Sequence, residues 1–117
     1  MTPVSAVHMT LFSRDAEATR VFFRDVLELE SVDAGGGWLI FKLPPAELGL
    51  HPTEGPPKHE LYLMCDDLDA TVEELRVKGV ELVRPVSDEA WGRVAHLPVP
   101  GIGEIGLYEP RHPTPPR

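Results

Sequence analysis

His59-Glu60-Leu61-Tyr62-Leu63-Met64-Cys65-Asp66-Asp67-Leu68-Asp69-Ala70-Thr71 reads as a strand running into the first turn of a helix. Leu61, Leu63 and Cys65 alternate with Glu60, Tyr62 and Met64, the period of a strand with two different faces. Asp66 or Asp67 then supplies a helix N-cap, and Asp69 adds acid where the helix dipole favours it. The chain has already said this once. Val7-His8-Met9-Thr10-Leu11-Phe12-Ser13-Arg14-Asp15-Ala16-Glu17-Ala18-Thr19 aligns with it without a gap, Asp15 on Asp67 and Glu17-Ala18-Thr19 on Asp69-Ala70-Thr71. His8 then falls on Glu60. Such a match identifies an internal repeat, which takes precedence over other fold arguments.

Outward from the repeat, each half has the same order. In the first, a strand is expected over about 5–12 and a helix from Ser13 or Asp15 to about Leu29, with Ala18, Val21, Phe22, Val26 and Leu29 at amphipathic spacing. Glu30 to Val32 is a short strand, and Asp33-Ala34-Gly35-Gly36-Gly37 a turn. Trp38 to Leu43 and Glu47 to His51 are strands separated by Pro44-Pro45. Pro52 to Pro57 links the halves. In the second, strands are expected over His59 to Cys65, Val80 to Val83, Trp91 to Leu97 and Glu104 to Tyr108, with a helix over Leu68 to Lys78 closed by Gly79. Pro85 to Glu89 is read as a loop. Glu47-Leu48-Gly49-Leu50-His51 is echoed by Glu104-Ile105-Gly106-Leu107-Tyr108. This gives an α+β domain over 1–110, with modules at about 4–52 and 58–110. A proline-rich tail over 111–117 is expected to wander on the surface.

The 117 residues fit one domain, and a chain of this length can bury a core without staples. A net charge of −8 argues against nucleic acid or an anionic membrane as partner. The single cysteine, Cys65, excludes an intramolecular disulfide and, in a strand, reads as a small buried hydrophobe. With no signal-peptide pattern and no apolar run near the ~20 residues of a membrane span, a cytoplasmic location is the expectation.

His8 with Asp15, the run Phe22-Phe23-Arg24-Asp25-Val26-Leu27, Asp66-Asp67-Leu68-Asp69-Ala70, Lys78-Gly79-Val80 and Gly106-Leu107-Tyr108-Glu109-Pro110 together resemble the vicinal oxygen chelate superfamily. That superfamily includes glyoxalase I, extradiol dioxygenases and the bleomycin resistance proteins. The resemblance covers Val4 to Pro110. It implies two βαβββ modules forming a curled mixed sheet cup, completed in a homodimer. It also implies four cup-facing positions that hold a metal in metal-using members, here His8, Gly49, Glu60 and Gly106. Two positions that commonly carry glutamate are glycine, which offers no side-chain ligand.

Alternation from the cup-facing positions places Glu47, Gly49 and His51 on the cup face, as it does Glu104, Gly106 and Tyr108. His8, His51 and Glu60 have the composition of a two-histidine-one-carboxylate triad suited to iron, nickel, zinc or manganese. However, His51 lies one pleat repeat, roughly 6.6 Å, from the expected ligand position. The plain alternative is that His8 and Glu60 hydrogen-bond on a polar floor. Gly49 and Gly106 also open the wall to a flat ligand. Trp38, Tyr62, Trp91 and Tyr108 are candidates for stacking, although core packing accounts equally for Trp38. Glu47, Glu60 and Glu104 put acid at the rim. His59 is expected on the face opposite Glu60, the facing of His96 is open, and His112 is expected in solvent. The preferred reading is a metal-independent small-molecule binder, for an antibiotic or aromatic metabolite, with no cofactor. The second is a divalent-metal lyase, isomerase or dioxygenase using His8, Glu60 and His51.

Overall fold

The computed structural model describes residues 8–113 and 115–116. Within it, the stretch that leads into the second helix fixes the architecture. Asp67 caps that helix, α2 (Leu68–Val77), accepting the Ala70 amide at 3.1 Å. Glu109 accepts the Leu68 amide at 3.1 Å, so a second carboxylate satisfies an N-terminal donor. At the far end Gly79, at φ 89°, turns the chain. Its amide reaches the Arg76 carbonyl and the Val80 amide reaches that of Leu75, both at 2.9 Å, which closes a Schellman cap.

The strand before α2 is β3 (Tyr62–Met64); after it come β4 (Ser87–Glu89), β5 (Gly92–Val99) and β6 (Gly103–Pro110). They form one mixed sheet in the order β3-β6-β5-β4, with β3 parallel to β6 and the other pairs antiparallel. This is a complete βαβββ module. Odd-numbered residues of β5 and β6 face α2. Ala95, Leu97, Val99, Ile105 and Leu107 bury against Leu68 and Leu75, and Phe22 and Phe23 join them from the first helix. Arg93 crosses to Asp69 at 2.9 and 3.1 Å. Leu97 is fully buried at the centre of this layer. Leu97→Ala is therefore expected to lose about 2–5 kcal/mol in urea unfolding; a loss well under 1 kcal/mol would contradict a core centred there.

The first half is less complete. Asp15 caps α1 (Ala16–Val21), accepting the Ala18 amide. The helix continues as a wider π turn over Phe22–Val26 and stops at Leu27, short of Leu29. β1 (Ser31–Asp33) and β2 (Leu39–Phe41) make a separate antiparallel hairpin around the glycine turn. Asp33 holds that turn by accepting the Gly35 and Gly37 amides.

Several expectations are corrected. Residues 8–12 and 47–51 form no strand, and 5–7 lie outside the described residues. A strand persists only against a neighbouring ladder, and among the described residues neither segment has one. In place of the expected pair of modules in a curled cup, the described residues form one clear module and a hairpin, with no curled sheet among them. Leu48 and Leu50 are 84% and 86% exposed as a result. Val80 to Val83 is not a strand: its bond to the sheet is Val83 N–H to His96 O at 3.2 Å. Pro85 then interrupts with no N–H to donate, and pairing resumes at β4, where a loop was expected. β3 is shorter than His59 to Cys65 because its ladder matches β6 only from Tyr62 to Met64.

Beyond the shared core, the β5–β6 turn ties the halves together by hydrogen bonds. The β5–β6 turn presents the Gly101 carbonyl to the Arg14 amide at 3.0 Å. Buried Thr19 places its hydroxyl 2.6 Å from Pro100 O, 2.9 Å from Asp15 O and 2.7 Å from Ser13 Oγ. One hydroxyl proton serves one carbonyl at a time, while its lone pairs accept from Ser13.

Candidate functional site

Even-numbered residues of β3, β5 and β6 project away from α2. Gly106 lies at the middle of this face, opposite Tyr62 on one side and His96 on the other. A Cβ at Gly106 would fall inside the Tyr62 ring, with Cγ at 3.0 Å. The aromatic ring therefore fills the space a side chain at position 106 would take. Tyr62 meets Tyr108 at 5.6 Å between centroids and 88°, and Trp91 at 6.4 Å and 82°. Trp91 and Tyr108 close the triangle at 5.7 Å and 75°. Edge-to-face contacts of this kind suit the ring quadrupole. Trp91 remains 43% exposed, so the cluster opens to solvent.

Polar groups surround the rings. The Tyr62 hydroxyl donates to Glu60 at 3.4 Å. Burial, with Glu60 close by, pushes the Tyr62 phenol up, and burial together with Glu47 does the same to Tyr108. Both hydroxyls therefore stay protonated at neutral pH and available as donors. Glu104 pairs with Arg84 at 2.9 Å. A shallow cleft beside Gly106 is bordered by His59, Glu60, Arg84, His96 and Glu104, with Leu11 on the first-half side. His59 and Glu60 both border it because residue 59 precedes the paired part of β3, where alternation governs.

The sequence-derived candidates separate into two groups. Tyr62, Trp91, Gly106 and Tyr108 form one aromatic patch, with Glu60 and Glu104 at its cleft and Glu47 near Tyr108. His8 and His51 are exposed in segments without strand pairing. Among the described residues no group of three His, Cys, Asp or Glu side chains stands together as a metal shell, so the structure does not bring His8, Glu60 and His51 into one cluster. Gly49 is not on a sheet, and the nearest atom to a Cβ there is His51 Nε2 at 3.6 Å. Trp38 is exposed on the hairpin, with the Arg20 guanidinium 4.9 Å from its ring centre. Cys65 lies on the helix side, donates weakly to Tyr108 O at 3.7 Å, and has its thiol pushed up by burial. It has no character of an activated nucleophile.

The sequence does not assign His96, Arg84 or Met64 to a site, and it leaves the facing of His96 open. A turn centred on Gly101 pairs His96 with Gly106, so that signal was present once the turn was placed. His112, expected in solvent, instead packs on Tyr108 at 5.9 Å.

Helices on one face of a mixed sheet and an aromatic, acid-rimmed patch on the other define a glyoxalase-like α+β protein. Residues 5–110 match the Glyoxalase/Bleomycin resistance protein/Dioxygenase superfamily, and the chain belongs to it. Among solved structures it is similar to TnmS3, an antibiotic binding protein from Streptomyces sp. CB03234. Identity is 26%, TM-score 0.67, with 94% of this chain and 99% of that one covered. Lactoylglutathione lyase from Agrobacterium tumefaciens matches at 17% identity and TM-score 0.63, covering 92% and 95%. A superfamily member from Sphaerobacter thermophilus matches at 21% and 0.59, covering 90% and 97%. These last two establish likeness of fold alone. No curated protein matches the chain. No helix is long and apolar enough to cross a membrane.

Proposed function

We propose that this protein binds a small, flat organic molecule, an antibiotic or aromatic metabolite, and sequesters it without a metal in the cytoplasm. The observation that carries this reading is the Tyr62 ring over Gly106, walled by Tyr108 and Trp91. In this reading an aromatic surface takes the place that the resemblance assigns to a metal ligand at Gly106. The likeness to an antibiotic binding protein supports it. The domain of 1–110 acts as a homodimer in this reading. Met9, Phe12, Leu48 and Leu50 lie exposed on first-half segments that lack a ladder, and a second copy would cover them.

The test is a fluorescence titration with bleomycin and a panel of planar aromatic antibiotics, in a Trp38→Phe background so that Trp91 reports. At least one ligand is expected to quench saturably, to weaken about tenfold or more in Tyr108→Ala, and to be unaffected by chelator. Absence of saturable quenching across the panel would refute the reading. Sedimentation should give about twice the 12.9 kDa chain mass.

A further inference from the structure

The C-terminal tail does not leave the sheet freely. The Arg111 amide donates to Trp91 O at 2.9 Å, and its guanidinium reaches the Asp88 carboxylate and, at 2.9 Å, Glu89 O. This anchor turns His112 back over the aromatic face. His112 Nδ1 lies 2.9 Å from Pro113 O, and a carbonyl only accepts, so Nδ1 carries a proton. In the neutral ring Nε2 is then an acceptor, 3.2 Å from the Tyr108 hydroxyl. The same Nε2 is 3.6 Å from Glu47 Oε2. Protonation converts it to a donor facing that carboxylate. Glu47 and Tyr108 are the groups that face this imidazole, and Arg111 beside it is engaged with Asp88. Further along, Pro115 and Pro116 border one cavity together with Pro45, Ala46, Glu47 and Met64, and Met64 is the β3 partner of Tyr108 on the same face.

A flat nitrogen ring held between a π-system and a carboxylate is the pattern that recognises aromatic cations. We propose that His112 is an internal occupant of a subsite built by Glu47 and Tyr108. That subsite takes a flat, protonated nitrogen heterocycle of the ligand, which displaces the tail on binding. The inference rests on the small-molecule reading of this face and adds the ligand's chemical class and a self-blocking contact.

Two full-length variants, His112→Ala and Glu47→Gln, test it, since both residues lie outside the buried core. Methyl NMR of Met64 reports tail docking without any ligand, and proflavine serves as the planar cation. His112→Ala is expected to move the Met64 methyl signal. It should also tighten proflavine about tenfold, as when the tail leaves the subsite open roughly a tenth of the time. Glu47→Gln should weaken proflavine in the His112→Ala background. An unmoved Met64 methyl would overturn the docked tail. A moved methyl with unchanged proflavine affinity would overturn the shared subsite. Absence of proflavine binding to either chain, despite tail docking, would overturn the ligand class and count against the small-molecule reading with it.

Discussion

Gly101→Ala is expected to lose about 3 kcal/mol or more, through two costs acting at once. The residue sits at φ 80°, where a side chain is strained. Its Cβ would also collide with Ser13 Oγ and lie 2.8 Å from the Asp15 amide nitrogen and 3.0 Å from its carbonyl oxygen. The hydroxyl can rotate away, but the backbone of the α1 cap can move only by leaving the joint. The Arg14–Gly101 and Thr19–Pro100 hydrogen bonds would then go with it. Gly103→Ala separates the two costs within the same turn. It too has a positive φ, 109°, but nothing stands within 4 Å of the new Cβ. It should lose only about 1–2 kcal/mol. The check is urea unfolding of both variants followed by circular dichroism. Equal losses would mean that the collision with α1 contributes nothing and that the halves are not joined there.

Gly106→Ala is the second large effect, and it bears on the site itself. No backbone strain is involved; the added methyl enters the Tyr62 ring. Overpacking of this kind costs about 1–3 kcal/mol. The ring must tilt, which breaks its edge contacts with Trp91 and Tyr108, so ligand quenching of Trp91 should fall together with stability. A double-mutant cycle with Tyr62→Ala identifies the cause. The double variant should be more stable than the two single losses added together by at least about 1 kcal/mol. Additive losses would show that Tyr62 is not what fills position 106. Gly49→Ala is the contrast. Its nearest neighbour is its own segment's His51, at ordinary contact distance, and a change within about 0.5 kcal/mol is expected. The two glycines, matched in the sequence echo, thus have different physical roles.

The sequence by itself determined what depends on neighbours along the chain. The N-caps to within a choice of Ser13 or Asp15 and of Asp66 or Asp67, the Gly79 stop, the Asp33–Gly37 turn, α2, and the β5–β6 hairpin are all legible there. Each is fixed by one residue's hydrogen bond or dihedral preference within a few positions. The repeat and the motif residues also pointed to the superfamily. Periodicity placed Tyr62 with Glu60 on one face of its strand and Gly106 with Tyr108 on one face of theirs, the resemblance put the two faces together, and the β3–β6 pairing does so in the structure. What only the tertiary structure decided is pairing between distant segments. Residues 8–12 and 47–51 carry strand-like patterns, but hydrogen bonding needs a partner that their local sequence does not supply. Ser87–Glu89 carries a weak strand pattern and pairs because β5 offers it an edge. The facing of His96 followed from register, and the seat of His112 from the Arg111 anchor and the Glu47–Tyr108 gap. Local preferences choose the elements; the availability of a matching ladder or surface elsewhere decides which of them form and what they touch.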